Sequence, residues 1–278
     1  MKKHKFNRVI LPPLLSLSVS LLMISIGNSW CGTKTIDQVT LSQTSKQLPI
    51  DRLYKQAQAI SVKIVSKEGV LGSGVLFQKQ DKSYKIITNA HVLRAGSAPY
   101  QVETNDGRIH KTKLIKSNKF GELDLAILEF VSHKNIYIVS LLGSSPKLED
   151  EVFTCGFPEV EEGVGKPKFL MTKGKVSLIL PQPLKDGYQL GHTNNIESGM
   201  SGGALLNSQG ELIGIEGKQA YPAWDTPSKF VDGSDVPSDI HKKIATLSWS
   251  IPIANVEKMQ SLKQTEAISQ PPIIQKQK

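Results

Sequence analysis

A serine among glycines, a histidine ending one apolar run and an aspartate inside another could together do nucleophilic chemistry. The pentapeptide Gly199-Met200-Ser201-Gly202-Gly203 sets three glycines around one hydroxyl. Glycine admits positive φ and close backbone approach, so such a turn can aim two backbone N–H groups at one point beside the serine oxygen. An oxyanion forming there gains about 2.7–4 kcal/mol per donor. The competing reading is an ordinary β-turn, where Ser and Gly also abound. A serine hydroxyl is a poor nucleophile at neutral pH and needs a base. Past the N-terminal segment the histidines are His91, His110, His133, His192 and His241. Four stand in polar surroundings with no other mark, whereas His91 ends the strand-like run Ile86-Ile87-Thr88-Asn89-Ala90-His91. A histidine base needs one tautomer, held by an acceptor on its other nitrogen, and a buried carboxylate supplies that. Leu123-Asp124-Leu125-Ala126-Ile127-Leu128 sets one acid in an apolar strand. There Asp124 either finds a polar partner or faces water at a sheet edge, since an unpaired buried charge is costly.

The elements that must position these residues read as strands. Ile60–Val65 alternates apolar and polar side chains, and Val75–Phe77, Tyr84–Thr88, Tyr100–Thr104, Lys111–Ile115 and Leu123–Phe130 follow. Then come Glu151–Cys155, Phe169–Leu180, Ala204–Leu206, Glu211–Glu216 and Thr246–Ile251, with turn signals such as Asn105-Asp106-Gly107 and Ser208-Gln209-Gly210 between strands. Many short strands with few helical patterns predict an all-β sandwich or barrel. Asn255–Leu262 has helical spacing and predicts a short closing C-terminal helix. Residues 30–50 are expected as a linker, 51–262 as one folded block, and 263–278 as a disordered tail. Residues 218–245 are expected as a long loop.

Composition narrows the function. The chain has 278 residues, 39% hydrophobic and 21% charged, near globular values. Of the net charge of +9, Lys2, Lys3, Lys5 and Arg8 supply four, and no block of basic residues interleaves with aromatics, so nucleic acid is not an expected partner. Two cysteines allow at most one disulfide and no four-cysteine zinc site. Glu162–Pro167 mimics a phosphate-binding loop, but Pro167 stands where Ser or Thr is needed. No metal or cofactor is expected. A basic start, the apolar stretch Val9–Ile24 and the small residues Gly27 and Ser29 predict a signal peptide over 1–29. The stretch is short for a bilayer span and carries Pro12 and Pro13. The expected protein is exported, periplasmic or extracellular, with no stable membrane insertion after cleavage. Trp30 argues against lipidation of Cys31. Cys155, in the apolar run Val152–Phe157, is expected as a core residue.

Thr88-Asn89-Ala90-His91-Val92, Asp124-Leu125-Ala126-Ile127-Leu128 and Gly199-Met200-Ser201-Gly202-Gly203-Ala204-Leu205 resemble the His, Asp and Ser motifs of trypsin-like (chymotrypsin-fold) serine proteases. They stand in that family's order, at gaps of 33 and 77 positions. Gly72-Ser73-Gly74-Val75 and Ser250-Ile251-Pro252-Ile253 resemble the strand before the histidine and the last strand of bacterial HtrA-type domains. The resemblance implies two six-stranded antiparallel β-barrels with the site in the cleft between them. It implies Ser201 as nucleophile, His91 as base, Asp124 as its orienting partner, and the Gly199 and Ser201 N–H groups as the oxyanion hole. Proteins or peptides are the implied substrates, and the alternative is a catalytically silent binding protein on the same fold.

Three departures stand out. Met200 replaces the aspartate of digestive enzymes and the asparagine usual in HtrA-type domains, so no activation by an inserted N-terminus is expected. Only 16 residues follow the block, so no PDZ domain is expected within this chain. Asn195 occupies the position of the pocket-floor aspartate of Lys/Arg-specific enzymes. Glu216 lies near where glutamyl endopeptidases carry a pocket histidine, and a carboxylate there would favour a basic substrate side chain. Its competing placement is towards solvent.

Overall fold

The computed structural model describes residues 47–115, 123–160, 165, 167–221 and 227–256. The expected signal peptide, the linker up to residue 46, the tail, and the expected C-terminal helix beyond Val256 lie outside these residues.

Two antiparallel sheets follow from the alternating patterns. The first contains β1 (Ser61–Ser66), β2 (Gly69–Gln80), β3 (Ser83–Thr88), β4 (Gln101–Glu103), β5 (Ile109–Lys111), β6 (Lys113–Ile115) and β7 (Ala126–Val131), in the order β5-β4-β1-β2-β3-β7-β6. β5 and β6 are halves of one strand that bends at Thr112, whose N–H donates to the Tyr100 carbonyl at 3.1 Å. One half pairs with β4 and the other with β7. The bent strand thus lies at both edges and brings the sheet near to a six-stranded barrel. The second sheet contains β8 (Glu151–Gly156), β9 (Leu170–Ile179), β10 (Leu190–His192), β11 (Ala204–Asn207), β12 (Leu212–Lys218) and β13 (Ser248–Pro252), and closes in the order β10-β13-β12-β11-β8-β9. The architecture is the expected pair of β-barrels.

Strand pleating divides the apolar side chains between three cores. Ile86 of β3 points into the first barrel with Val62, Ile64 and Leu128, while its neighbour Ile87 joins a shared core between the barrels. In β11, Leu205 fills the second barrel, and Ala204 and Leu206 face the shared core with Trp249 and Ile251. The shared core fixes one barrel against the other, and so fixes any site built from both.

A few helices join the strands among the described residues. α1 (Ile50–Ile60) occupies the start of the block, and its buried Leu53, Ala57 and Ile60 share one face that packs into the shared core. The linker expectation also ends early, because the Leu48 N–H donates to the Ser208 carbonyl at 2.9 Å. α2 (Ala90–Arg94) is a single turn after β3. α3 (Ser238–Ala245) lies within the stretch expected as a loop. The Trp249 indole N–H donates to the Ile244 carbonyl at 3.0 Å and holds the end of α3 on the second barrel. Residues 253–256 are helical, where the closing helix was expected to begin.

Candidate active site

His91 stands in the first turn of α2, and Asp124 just before β7. The Asp124 backbone carbonyl accepts from the Ala90 N–H (3.2 Å) and the Asn89 side-chain amide (3.0 Å). Its Oδ1 accepts from the His91 N–H at 2.8 Å. One residue thus satisfies the donors that open the short helix. Oδ2 meets His91 Nδ1 at 2.5 Å. A carboxylate only accepts, so the proton sits on Nδ1 and Nε2 is left to accept. Asp124 is 7% exposed. Burial pushes its carboxyl up, but hydrogen bonding and electrostatic attraction to the His91 ring, with hydrogen bonds from the Tyr188 hydroxyl and the His91 N–H, outweigh it. The carboxyl ends below its usual range. Arg94, 3.5 Å from Oδ1, is largely solvated and adds little.

Ser201 arrives from the second barrel on the turn before β11. Gly199 has φ +89° and Gly202 φ +84°, both in the left-handed region. A Cβ on Gly199 would lie 2.5 Å from the Glu159 nitrogen, and one on Gly202 would strike the Ser73 carbonyl and the Thr88 hydroxyl. Only glycine fits either place. The turn packs against the histidine's element at Gly72. A Cβ there would be 3.0 Å from a Val92 methyl and 3.2 Å from the Ser201 carbonyl. His91, Asp124 and Ser201 therefore stand on adjoining elements. No hydrogen bond joins the His91 ring to the Ser201 hydroxyl in this structure.

The donors of the turn divide cleanly. The N–H of Met200 goes to the Glu197 carbonyl, that of Gly202 to Glu216, and that of Gly203 to Met200, at 3.0, 2.9 and 3.0 Å. Among the described residues, the N–H groups of Gly199 and Ser201 have no acceptor. Each belongs to a peptide whose carbonyl is pinned: Ser198 O accepts from the Glu159 N–H at 2.7 Å, and Met200 O from the Gly203 N–H at 3.0 Å. In a planar trans peptide the N–H points opposite the carbonyl, so pinning one aims the other. Both N–H directions are thus fixed while the donors themselves stay unused. Ser73 stitches this turn to the first barrel. Its N–H donates to Ser201 O (2.9 Å), its hydroxyl donates to Gly199 O (2.8 Å), and the same hydroxyl accepts from the Phe157 N–H (2.9 Å). Met200 is fully buried.

A cavity of about 310 Å³ opens beside Ser201. Ile196, Ile244 and Trp249 give it apolar walls, and Gly217, Lys218 and Glu197 also line it. Asn195 and Glu216, the expected pocket residues, do not line this cavity. Asn195 is exposed, and its carbonyl accepts from the Thr172 hydroxyl at 2.9 Å. Glu216 alternates with Ile215, which faces the shared core, so its side chain enters the second barrel instead. It is fully buried, faces neither pocket nor solvent, and lies 3.2 Å from Nε2 of the equally buried His192. That ring contacts Asn194 Oδ1 at 3.1 Å and the Ser250 hydroxyl at 2.9 Å. Neither Glu216 carboxylate oxygen has a well-formed hydrogen bond. Removing this ring would leave Glu216 buried without its neighbour and strip the Asn194 and Ser250 side chains of a partner. His192→Ala is therefore expected to lower the unfolding free energy in urea by more than about 1 kcal/mol, and a smaller loss would contradict a sealed contact.

Cys155 is a free, fully buried thiol, pushed up to about 12 chiefly by burial, so it is no nucleophile at neutral pH. Among the described residues, no group of three or more His, Cys, Asp or Glu side chains could hold a metal ion. Nor, among them, is any helix long and apolar enough to cross a membrane.

The chain is similar to known proteins. A family model described as a trypsin-like peptidase domain matches residues 72–215. The probable periplasmic serine endoprotease DegP-like of Buchnera aphidicola subsp. Schizaphis graminum is 32% identical over 153 residues, covering 52% of this chain and 29% of that protein. The periplasmic serine endoprotease DegP of Escherichia coli (strain K12) is 32% identical over 149 residues, with the same shares covered. The chain thus spans under a third of the length of these curated relatives. Among solved structures, the serine endoprotease from Yersinia pestis aligns with TM-score 0.55 and 24% identity over 80% of this chain and 69% of that one. The HtrA-type protease AlgW with decapeptide aligns with TM-score 0.55 and 23% identity over 78% and 68%. These two likenesses speak to the fold alone. With half of its length matched by that model, the chain belongs to the trypsin-like peptidase domain family.

Proposed function

We propose that the protein is an exported serine endopeptidase. Ser201 attacks the scissile carbonyl, and His91 Nε2 takes its proton and later returns it to the leaving amine. Asp124 holds the Nδ1–H tautomer and stabilises the imidazolium. The Gly199 and Ser201 N–H groups receive the oxyanion. The observation that carries this reading is the pair of unused, pre-aimed donors on the serine's own turn, beside a histidine whose tautomer a buried carboxylate has chosen. A silent binding protein on the same fold is the second reading, favoured only by the missing bond between His91 and Ser201. Such bonds commonly tighten only when substrate is present.

A fluorophosphonate probe separates the two readings. The active enzyme is labelled on Ser201, and Ser201→Ala is not. A folded wild-type chain that stays unlabelled and cuts no unfolded protein would leave the binding reading. Export rests on the expected signal peptide over 1–29 and on the periplasmic names of the DegP relatives. N-terminal sequencing of the mature protein should begin at Trp30, and an intact Met1 on cytosolic material would refute export.

A further inference from the structure

Asp124 is gripped from the second barrel as well as the first. The Tyr188 hydroxyl donates to Oδ2 at 2.7 Å, the same oxygen that meets His91 Nδ1. Tyr188 is fully buried and follows the short 3-10 turn Lys185–Gly187. Its ring is wedged against the strand that lines the cavity beside Ser201. A Cβ on Gly217 would strike the phenol oxygen, and Lys218 Nζ lies 5.2 Å from the ring centroid. Only a glycine at 217 leaves room for this phenol. The backbone of the same loop adds to the grip, as the Asp124 N–H donates to the Asp186 carbonyl at 2.9 Å.

We propose that Tyr188 is a positioning residue for the reaction: its hydroxyl fixes the Asp124 carboxylate against His91 and ties it to the strand that lines the substrate cavity. This rests on the reading of His91, Asp124 and Ser201 as the catalytic groups. A phenol that only filled space would need no carboxylate, and this carboxylate oxygen already has one strong donor. Hydrogen bonds to an ionised acceptor are about twice as strong as neutral ones. Burial, then the negative charge of Asp124, holds the phenol well above its usual range, so it remains a donor wherever the enzyme works. The other charged groups around the pair are Arg94 beside Oδ1 and Asp186, Glu216 and Lys218 around the phenol.

The test compares Tyr188→Phe with wild type in steady-state cleavage of one peptide. Loss of a hydrogen bond to a charged group predicts a fall in kcat of roughly ten- to a hundredfold, with KM within about twofold. The hydroxyl also draws charge from the oxygen that faces the imidazole. Without it the imidazolium is better stabilised, so the acid limb of the kcat/KM profile should move to higher pH. The low-field proton resonance of the His91–Asp124 bond should shift as well. The double variant Tyr188→Leu/Gly217→Ser roots a hydroxyl where the phenol oxygen was, and should regain much of the kcat that Tyr188→Leu loses. A folded Tyr188→Phe enzyme with wild-type kcat, acid limb and proton resonance would reduce Tyr188 to packing and overturn the proposal. Should Tyr188→Leu fail to fold, the phenylalanine variant and its proton spectrum decide alone. A wild-type chain without turnover or labelling overturns the parent reading and this one together. An active wild type with an indifferent phenylalanine variant overturns only this one.

Discussion

Ser201→Ala should lower kcat/KM by a factor on the order of 10⁶ while leaving the fold intact. The two halves of that expectation have separate causes. In the proposed mechanism the hydroxyl is the atom that bonds the substrate carbonyl, and no other side chain on the turn can replace it. Among the described residues the same hydroxyl has no hydrogen bond, so its removal orphans no described group. Stability in urea should therefore change by no more than about 0.5 kcal/mol. Retention of more than about one per cent of wild-type activity would move the nucleophile elsewhere.

Asp124→Asn should cost about 10⁴ in kcat, because an amide cannot do what both carboxylate oxygens do here. If its NH₂ faces the ring, it donates to Nδ1. The imidazole proton then moves to Nε2, which can no longer accept from Ser201. If its NH₂ faces the other way, it opposes the His91 N–H, donor against donor, at the 2.8 Å site. The acid also leaves a signature in stability. Its folded-state value is lowered, so it stabilises the protein above the ordinary carboxylate range and loses that contribution as pH falls through the folded value. Wild type should lose stability below about pH 4, and the asparagine variant should lack that part of the slope. Equal kcat in the two proteins, or equal slopes, would contradict the arrangement.

The main residues of the proposed site were legible as candidates because each announces a local chemical need. Three glycines around a serine, a histidine closing an apolar strand and an acid between leucines are unusual wherever they occur. What supports them was not legible, because it depends on residues far apart in sequence. Nothing near Tyr188 reveals an acceptor 64 positions earlier, and nothing near Ser73 reveals a carbonyl 126 positions later. Glu216 was misplaced for a different reason. The pairing of β12 slips between Glu216 and Lys218 and again against β11 between Leu205 and Leu206. Such bulges change which face a side chain takes and leave no mark in composition. α1 had a signal in the spacing of Leu53, Ala57 and Ile60, but it opens after Pro49 without a side-chain cap and runs directly into β1. α3 carries one fully buried residue, Ile244, in a polar stretch, too little periodicity to read.

The central claim is that an imidazole and two backbone donors converge on one serine oxygen. A crystal structure of the chain phosphonylated on Ser201 measures this directly. The account predicts the phosphonyl oxygen about 2.7–3.1 Å from the Gly199 and Ser201 nitrogens, and His91 Nε2 within about 3.2 Å of the serine oxygen. An adduct whose oxygen binds neither nitrogen, or whose imidazole stays beyond about 5 Å, well outside hydrogen-bond reach, would contradict it.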